Sequence, residues 1–205
     1  MTGGTQQVQV SVNIRDDAPE VTVAGVDAVL RVDESYADGS EGPGLEISGS
    51  AHSDTATLNA SDLFSVNAGA DGEKSSEYTL SISEGSTGQK VLVDGKQYDL
   101  NLVQNEDGSI SGVAGDGHDT VIFRVVIDKS SGEITLDMTG AGSLMHPVND
   151  TSNFVDGAEA DDHDEEISIG GVKVTLTVQD TDDDRDSASF YLTLTFDDHG
   201  PGFLF

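Results

Sequence analysis

The sequence has no cysteine. That excludes a disulfide framework and thiolate chemistry, and for a protein outside the cell it leaves bound metal as the obvious staple. Bases are scarce as well: 9 Lys plus Arg stand against 39 Asp plus Glu, a formal charge of -30. No nucleic acid is expected as an ordinary partner, because a phosphate backbone is bound through basic surface. A mimic of DNA would present its acids along a helix, and no helical periodicity is found. Self-repulsion on this scale weakens the compact state unless bound cations offset it. Long apolar runs are missing too. The most apolar stretch, VIFRVVI at 121–127, is short and carries Arg124, so no direct membrane insertion is expected. The opening MTGGTQQ has neither the basic region nor the apolar core of a secretory signal, and reads as the leading edge of a piece cut from a longer chain. Only 4 prolines accompany 24 glycines, which makes the 205 residues turn-rich without marking them as disordered.

What is present is organised around GVKVTLTVQDTDDDRDSASFYLTLTFDDHGP at 171–201. Val172, Val174, Leu176 and Val178 alternate with polar residues, and so do Phe190, Leu192, Leu194 and Phe196. Period-two alternation of this length predicts two strands, each with one face on a core. Between them stand Asp180, Asp182, Asp183, Asp184 and Asp186. Five carboxylates so close together repel one another unless something positive sits among them. Hard oxygen ligands at alternating positions of a tight loop suit Ca²⁺, so Asp180, Asp182, Asp184 and Asp186 are candidate ligands. The competing reading is a solvated acidic turn. The loop is no EF-hand: counting from Asp180, Arg185 occupies the glycine position and Tyr191 the position of the bidentate Glu. Asp197 and Asp198 close the second strand some 30 Å further on, at roughly 3.3 Å per residue, and suit a second site at the other end.

An alternating strand that meets Asp-Asp and then Pro occurs twice. Val8, Val10, Val12 and Ile14 run into Asp16-Asp17-Ala18-Pro19, and the closing strand runs into Asp197-Asp198-His199-Gly200-Pro201. Two copies of one junction predict a whole module between them. Residues 1–15 then read as the last strand of a preceding module, 16–201 as a single module, and 202–205 as a tail into the next linker. Inside the module, EVTVAG and DAVLRVDES read as a pair of short strands, and 38–53 as a glycine-rich loop. SDLFSV at 61–66 is too short to assign. EYTLSIS alternates, and KVLV and KQYDLNLVQ flank Asp94-Gly95, a preferred two-residue hairpin turn. NEDG at 105–108, KSSG at 129–132 and a Gly-Gly turn at 170–171 connect further strands. The expected fold is all-β, an antiparallel β-sandwich with long calcium-binding loops.

Residues 139–166 break the rhythm, and an irregular segment of this length inside a domain is usually functional or disordered. Leu144, Met145, Phe154 and Val155 favour a loop pinned to the body, and its acidic end reads either as another cation site or as a solvated linker. AGDGHDTVI at 114–122 nearly fits a calcium-binding nonapeptide, but one copy cannot build a β-roll, so a hairpin turn is the preferred reading. The five histidines lack zinc-ligand spacing and no G-x-S-x-G is present, so no enzyme is expected.

The string TLTVQDTDDDRDSASFYLTLTFDDHGP resembles the close of repeat modules in giant RTX adhesins, type I-secreted surface proteins of Gram-negative bacteria. LFSVNAGADG, EYTLSIS and GEITLDMTGAGSLMHP, with its Leu-x-His-Pro element, extend the likeness over most of 16–201. The usual loop glycines are replaced here by Asp183 and Arg185. The resemblance implies an extracellular, calcium-rigidified segment of a cell-surface fibre whose partners are neighbouring modules. The Asp-Asp-x-Pro junctions also resemble cadherin linkers, and that analogy implies that Asp16, Asp17 and Glu34 serve the first junction, with Asp180 to Asp186, or Asp197 and Asp198, at the other ion sites. Such modules are either spacers or bind a peptide or carbohydrate on a target surface in calcium. The long loops favour binding, with Asp156, Asp161, Asp162 and Asp164 around an ion and Met145 and Phe154 as apolar walls.

Overall fold

The computed structural model describes residues 9–12, 17–25, 27–33, 55–115, 120–145 and 166–197. Its strands are β1 (Glu20–Val23), β2 (Ala28–Asp33), β3 (Thr55–Asn59), β4 (Phe64–Asn67), β5 (Glu73–Ile82), β6 (Ser86–Val93) and β7 (Lys96–Gln104). They continue with β8 (Ile110–Ala114), β9 (Val121–Ile127), β10 (Glu133–Met138), β11 (Ser143–Leu144), β12 (Glu166–Asp180) and β13 (Arg185–Asp197). One turn of 3-10 helix, Ala60–Leu63, precedes β4 and is capped by the Asn59 side chain. The fold is all-β.

Two sheets share one core. The order β11-β6-β7-β8-β9-β10-β3 makes the larger sheet, β2-β13-β12-β5 the smaller, and β1-β4 a separate ribbon. The smaller sheet lies on the larger, with β5 against β7, β8 and β9, β12 against β6, and β2 against β3 and β10. Phe123 from one sheet and Phe196 from the other meet with ring centroids 5.0 Å apart. Every alternating residue named for the organising hairpin is buried on this core. The hairpin turns form where the turn residues predicted them. Asp94 and Gly95 both take positive φ, 50° and 71°, the requirement of a type I′ turn between β6 and β7. The nonapeptide-like stretch joins β8 to its antiparallel neighbour β9, as a hairpin connection does.

The structure corrects three expectations. Gly170-Gly171 is not a turn: it is a bulge inside β12, where the register with β13 shifts between Ile169 and Val172. The inward residues are odd-numbered before it (Ile167, Ile169) and even-numbered after it (Val172, Val174, Leu176, Val178). One extra residue flips a strand's faces, so the bulge keeps both halves of β12 apolar side inward. Second, the sandwich is not purely antiparallel, since β2 runs parallel to β13 from Ala28 beside Leu192 to Asp33 beside Asp197. Third, β1 and β2 do not pair with each other, because β1 pairs with β4. Residues 9–12 form no strand, and Val10 and Val12 are exposed there.

Candidate metal centre

The buried stripe of β12 continues one step past its apolar residues. After Val172, Val174, Leu176 and Val178 the next inward position is Asp180, at 0 % exposure. An aspartate reaches this place because the strand ends in a tight turn that needs a side-chain acceptor. The Asp184 N–H donates to Asp180 Oδ1 at 2.9 Å, and the Asp180 N–H donates to the Asp184 carbonyl at 3.1 Å. The second carboxylate oxygen, Oδ2, is buried and has no hydrogen-bond partner. Asp180, Asp182 and Asp184 each bring a carboxylate oxygen within 4.8 Å of the others. The neighbouring Asp182 carboxylate first, and burial second, push the Asp180 carboxyl above its ordinary range. Mutual repulsion and an orphaned buried oxygen are costly in a metal-free site. A hard cation removes both, and an all-oxygen set of this kind fits one. These three residues could hold a metal ion.

The other acids of the loop do different work. Asp183 has φ 81°, the left-handed conformation that glycine favours, and Asp tolerates it better than most residues. Its carboxylate turns away to pair with Lys74 and accepts from Gln179 Nε2 at 2.6 Å. The Lys74 ammonium holds that carboxyl below the usual range. Asp186 is not brought into the group of three: its Oδ2 accepts the Val21 N–H at 2.7 Å and ties β1 to β13. Thr181 Oγ1 donates to the Asp71 carbonyl at 3.0 Å, which ties the β4–β5 turn to the acidic one. In that turn Gly69 has φ 72°, and a Cβ there would meet the Asp17 carbonyl at 2.5 Å. Asp17 therefore sits at the same end of the molecule as the acidic turn.

Asp197 lies at the opposite end of β13, paired with Glu166 and Asp33. Its carboxylate accepts two bonds from Arg31 Nη1, each 2.9 Å, and the same guanidinium holds Glu166. An arginine from β2 thus supplies the positive charge at this end. Asp33, directly before Glu34 in the chain, is level with Asp197 and far from Asp17. Met145 is half exposed and its N–H donates to the Lys90 carbonyl at 2.9 Å, extending the β11–β6 pairing. Asp16, Glu34, Phe154, Asp156, Asp161, Asp162, Asp164 and Asp198 lie outside the described residues, as do His118 and its neighbours. The sequence showed the carboxylates but not their division of labour. The parity of β12 was the signal that singles out Asp180.

A family described as "Domain of unknown function (DUF5801)" matches residues 29–193, which span the acidic turn and nearly all of both sheets. No curated protein matches the sequence significantly.

Proposed function

The chain belongs to the DUF5801 family, and from that premise and the acidic turn we propose that it is a calcium-dependent adhesion module of the RTX surface-adhesin kind. The observation that carries this reading is the Asp180 Oδ2, fully buried, without a hydrogen-bond partner and beside two further carboxylates. Ca²⁺ takes six to eight oxygens, so Asp180, Asp182 and Asp184 would supply part of a shell that backbone carbonyls and water complete. An ion there would pin β12, β13 and the tied β4–β5 turn together, and so make the acidic end rigid. Such a module works outside the cell, reaches it through type I secretion, and captures a peptide or carbohydrate of a target surface while neighbouring modules carry the load.

A passive spacer of the same fibre is the second reading. It is favoured by the placement of Asp17 at the same end as the acidic turn and Asp197 at the far end of β13, which suits a unit joined end to end. Calorimetric titration of Ca²⁺ into the EDTA-stripped chain tests the shared premise. One ion fewer is expected in the Asp182→Ala, Asp184→Ala double variant than in the parent, and an unchanged ion count would refute the site. A peptide and glycan array probed with and without calcium separates the two readings. Capture only in calcium supports adhesion, and no capture beside stiffening of tandem copies in scattering supports the spacer.

A further inference from the structure

Beyond the end where Arg31 holds Glu166 and Asp197, the outward face of the smaller sheet is poor in acids for so acidic a chain. The registers set its side chains in rows across β5, β12 and β13: Ser81, Lys173 and Tyr191; Thr79, Thr175 and Ser189; Glu77, Thr177 and Ser187; Ser75, Gln179 and Arg185. These positions alternate with the buried stripe and so point away from the core. Glu77 is the one acid in these rows, against two bases, although acids outnumber bases 39 to 9 in the whole chain. Even Glu77 lies 3.8 Å from the Lys129 ammonium.

No carboxylate of these rows forms an ion pair with the two cations, although Arg185 stands near enough to Asp183 of the adjoining turn to help hold that carboxyl down. Arg185 Nη2 donates to the Gln179 side-chain carbonyl at 3.1 Å, and among the described residues Lys173 has no ion-pair partner. Tyr191, directly across from Lys173, is 65 % exposed, a large aromatic left in water at mid-sheet. Hydroxyls fill the middle rows, with Thr175 and Ser189 sharing a 2.8 Å hydrogen bond. At the Arg185 end a groove of about 360 Å³ opens between Glu77, Lys129, Thr177, Gln179 and Arg185.

We propose that this face binds an extended acidic oligosaccharide, its uronate carboxylates meeting Arg185 and Lys129 at one end and Lys173 at the other. Six residues of β12 separate the row of Lys173 from the row of Arg185, about 20 Å at roughly 3.3 Å per residue, so a single sugar cannot bridge them. The Tyr191 ring gives a sugar a flat apolar surface with a hydroxyl at its edge. Serine and threonine both donate and accept, which matches a ligand whose own groups are hydroxyls. A protein partner fits less well, because no second large apolar side chain in these rows can seed the dry centre of a protein interface. The charge of -30 does not forbid an anionic ligand. Screening cuts interactions beyond about 8 Å at physiological salt, leaving the ligand to this face's own charges. The inference goes beyond the metal reading, since no carboxylate of the acidic turn takes part.

Calorimetry of the whole chain in calcium with short hyaluronan oligosaccharides, which carry regular uronates, tests it. Short dextran oligosaccharides and a poly-glutamate peptide serve as controls. Binding to hyaluronan is expected, weakened about tenfold or more in Lys173→Glu, the scale of losing a charge-assisted hydrogen bond, and weakened in Tyr191→Ala by loss of the flat ring surface. Lys90→Glu, on the larger sheet, should leave it unchanged. If a variant melts early, Lys173→Gln replaces it with the same expectation. Absence of hyaluronan binding, equal binding of dextran or poly-glutamate, or an equal loss in Lys90→Glu would overturn the proposal. Retained hyaluronan binding in the Asp182→Ala, Asp184→Ala variant would support it even if the calcium site failed its own test.

Discussion

Among the described residues, Asp180 is the one with a buried side-chain oxygen that lacks a hydrogen-bond partner. A buried carboxylate with one unpartnered oxygen destabilises the metal-free fold, and an amide of the same shape does not carry that charge. In Asp180→Asn the EDTA-treated protein should therefore melt at or above the EDTA-treated parent, while calcium no longer raises the melting temperature. A calcium-induced rise as large as the parent's would show that the ion binds elsewhere. Asp128 is the opposite case. Its Oδ1 accepts from the Ser130 N–H, the Ser130 hydroxyl and the Ser131 N–H at 2.9, 2.6 and 2.8 Å, which holds its carboxyl far below the ordinary range. Asp107 is lowered in the same way, first by the Ser109 hydroxyl. A folded value below the unfolded one gives stability that is fully present above about pH 4 and is lost as pH falls through the folded value. Asp128→Ala should lower the melting temperature at neutral pH by a few degrees and flatten its decline below pH 4. A parallel decline in both proteins would contradict this.

At the scale of elements, the bulge in β12 carries the most weight. Gly171 has φ 94°, and a Cβ there would stand 3.0 Å from the Glu84 carbonyl. Gly171→Ala should cost about 1–3 kcal/mol in chemical denaturation, the usual range for a side chain forced into such a conformation. Deleting Gly170 is expected to be far worse, since it would turn Ile167 and Ile169 outward. A deletion variant that melts with the parent would mean the two halves of β12 are not one strand. Strand identity was legible in the sequence because alternation and turn residues are local: Asp94-Gly95 and the Val172 and Phe190 stripes needed nothing but their neighbours. Pairing was not. The parallel fit of β2 on β13 and the partnership of β1 with β4 depend on contacts between distant segments, which periodicity does not encode. The acidic loop was legible as composition alone. The inward Asp180 continues the Val172 to Val178 alternation, but the outward Asp183 and the strand-tying Asp186 follow from one positive φ and a contact with β1, both properties of the folded chain.

At the scale of the whole molecule, a formal charge of -30 without a disulfide leaves the fold dependent on what offsets the repulsion. An ion that binds only the folded state adds about 2.7 kcal/mol per site at a hundredfold excess over its Kd. For a chain of this size each kcal/mol moves the melting temperature by about 2–4 °C. Melts in millimolar calcium and in EDTA should differ by several degrees at least, and superimposed melts would leave the acidic turn as solvated surface. The most direct measurement is a crystal structure of the chain grown in calcium, read for density at the acidic turn. A peak at calcium distance, about 2.3–2.6 Å, from Asp180 Oδ2 and from carboxylate oxygens of Asp182 and Asp184 is the expected result. Well-ordered side chains with no peak between them would contradict it.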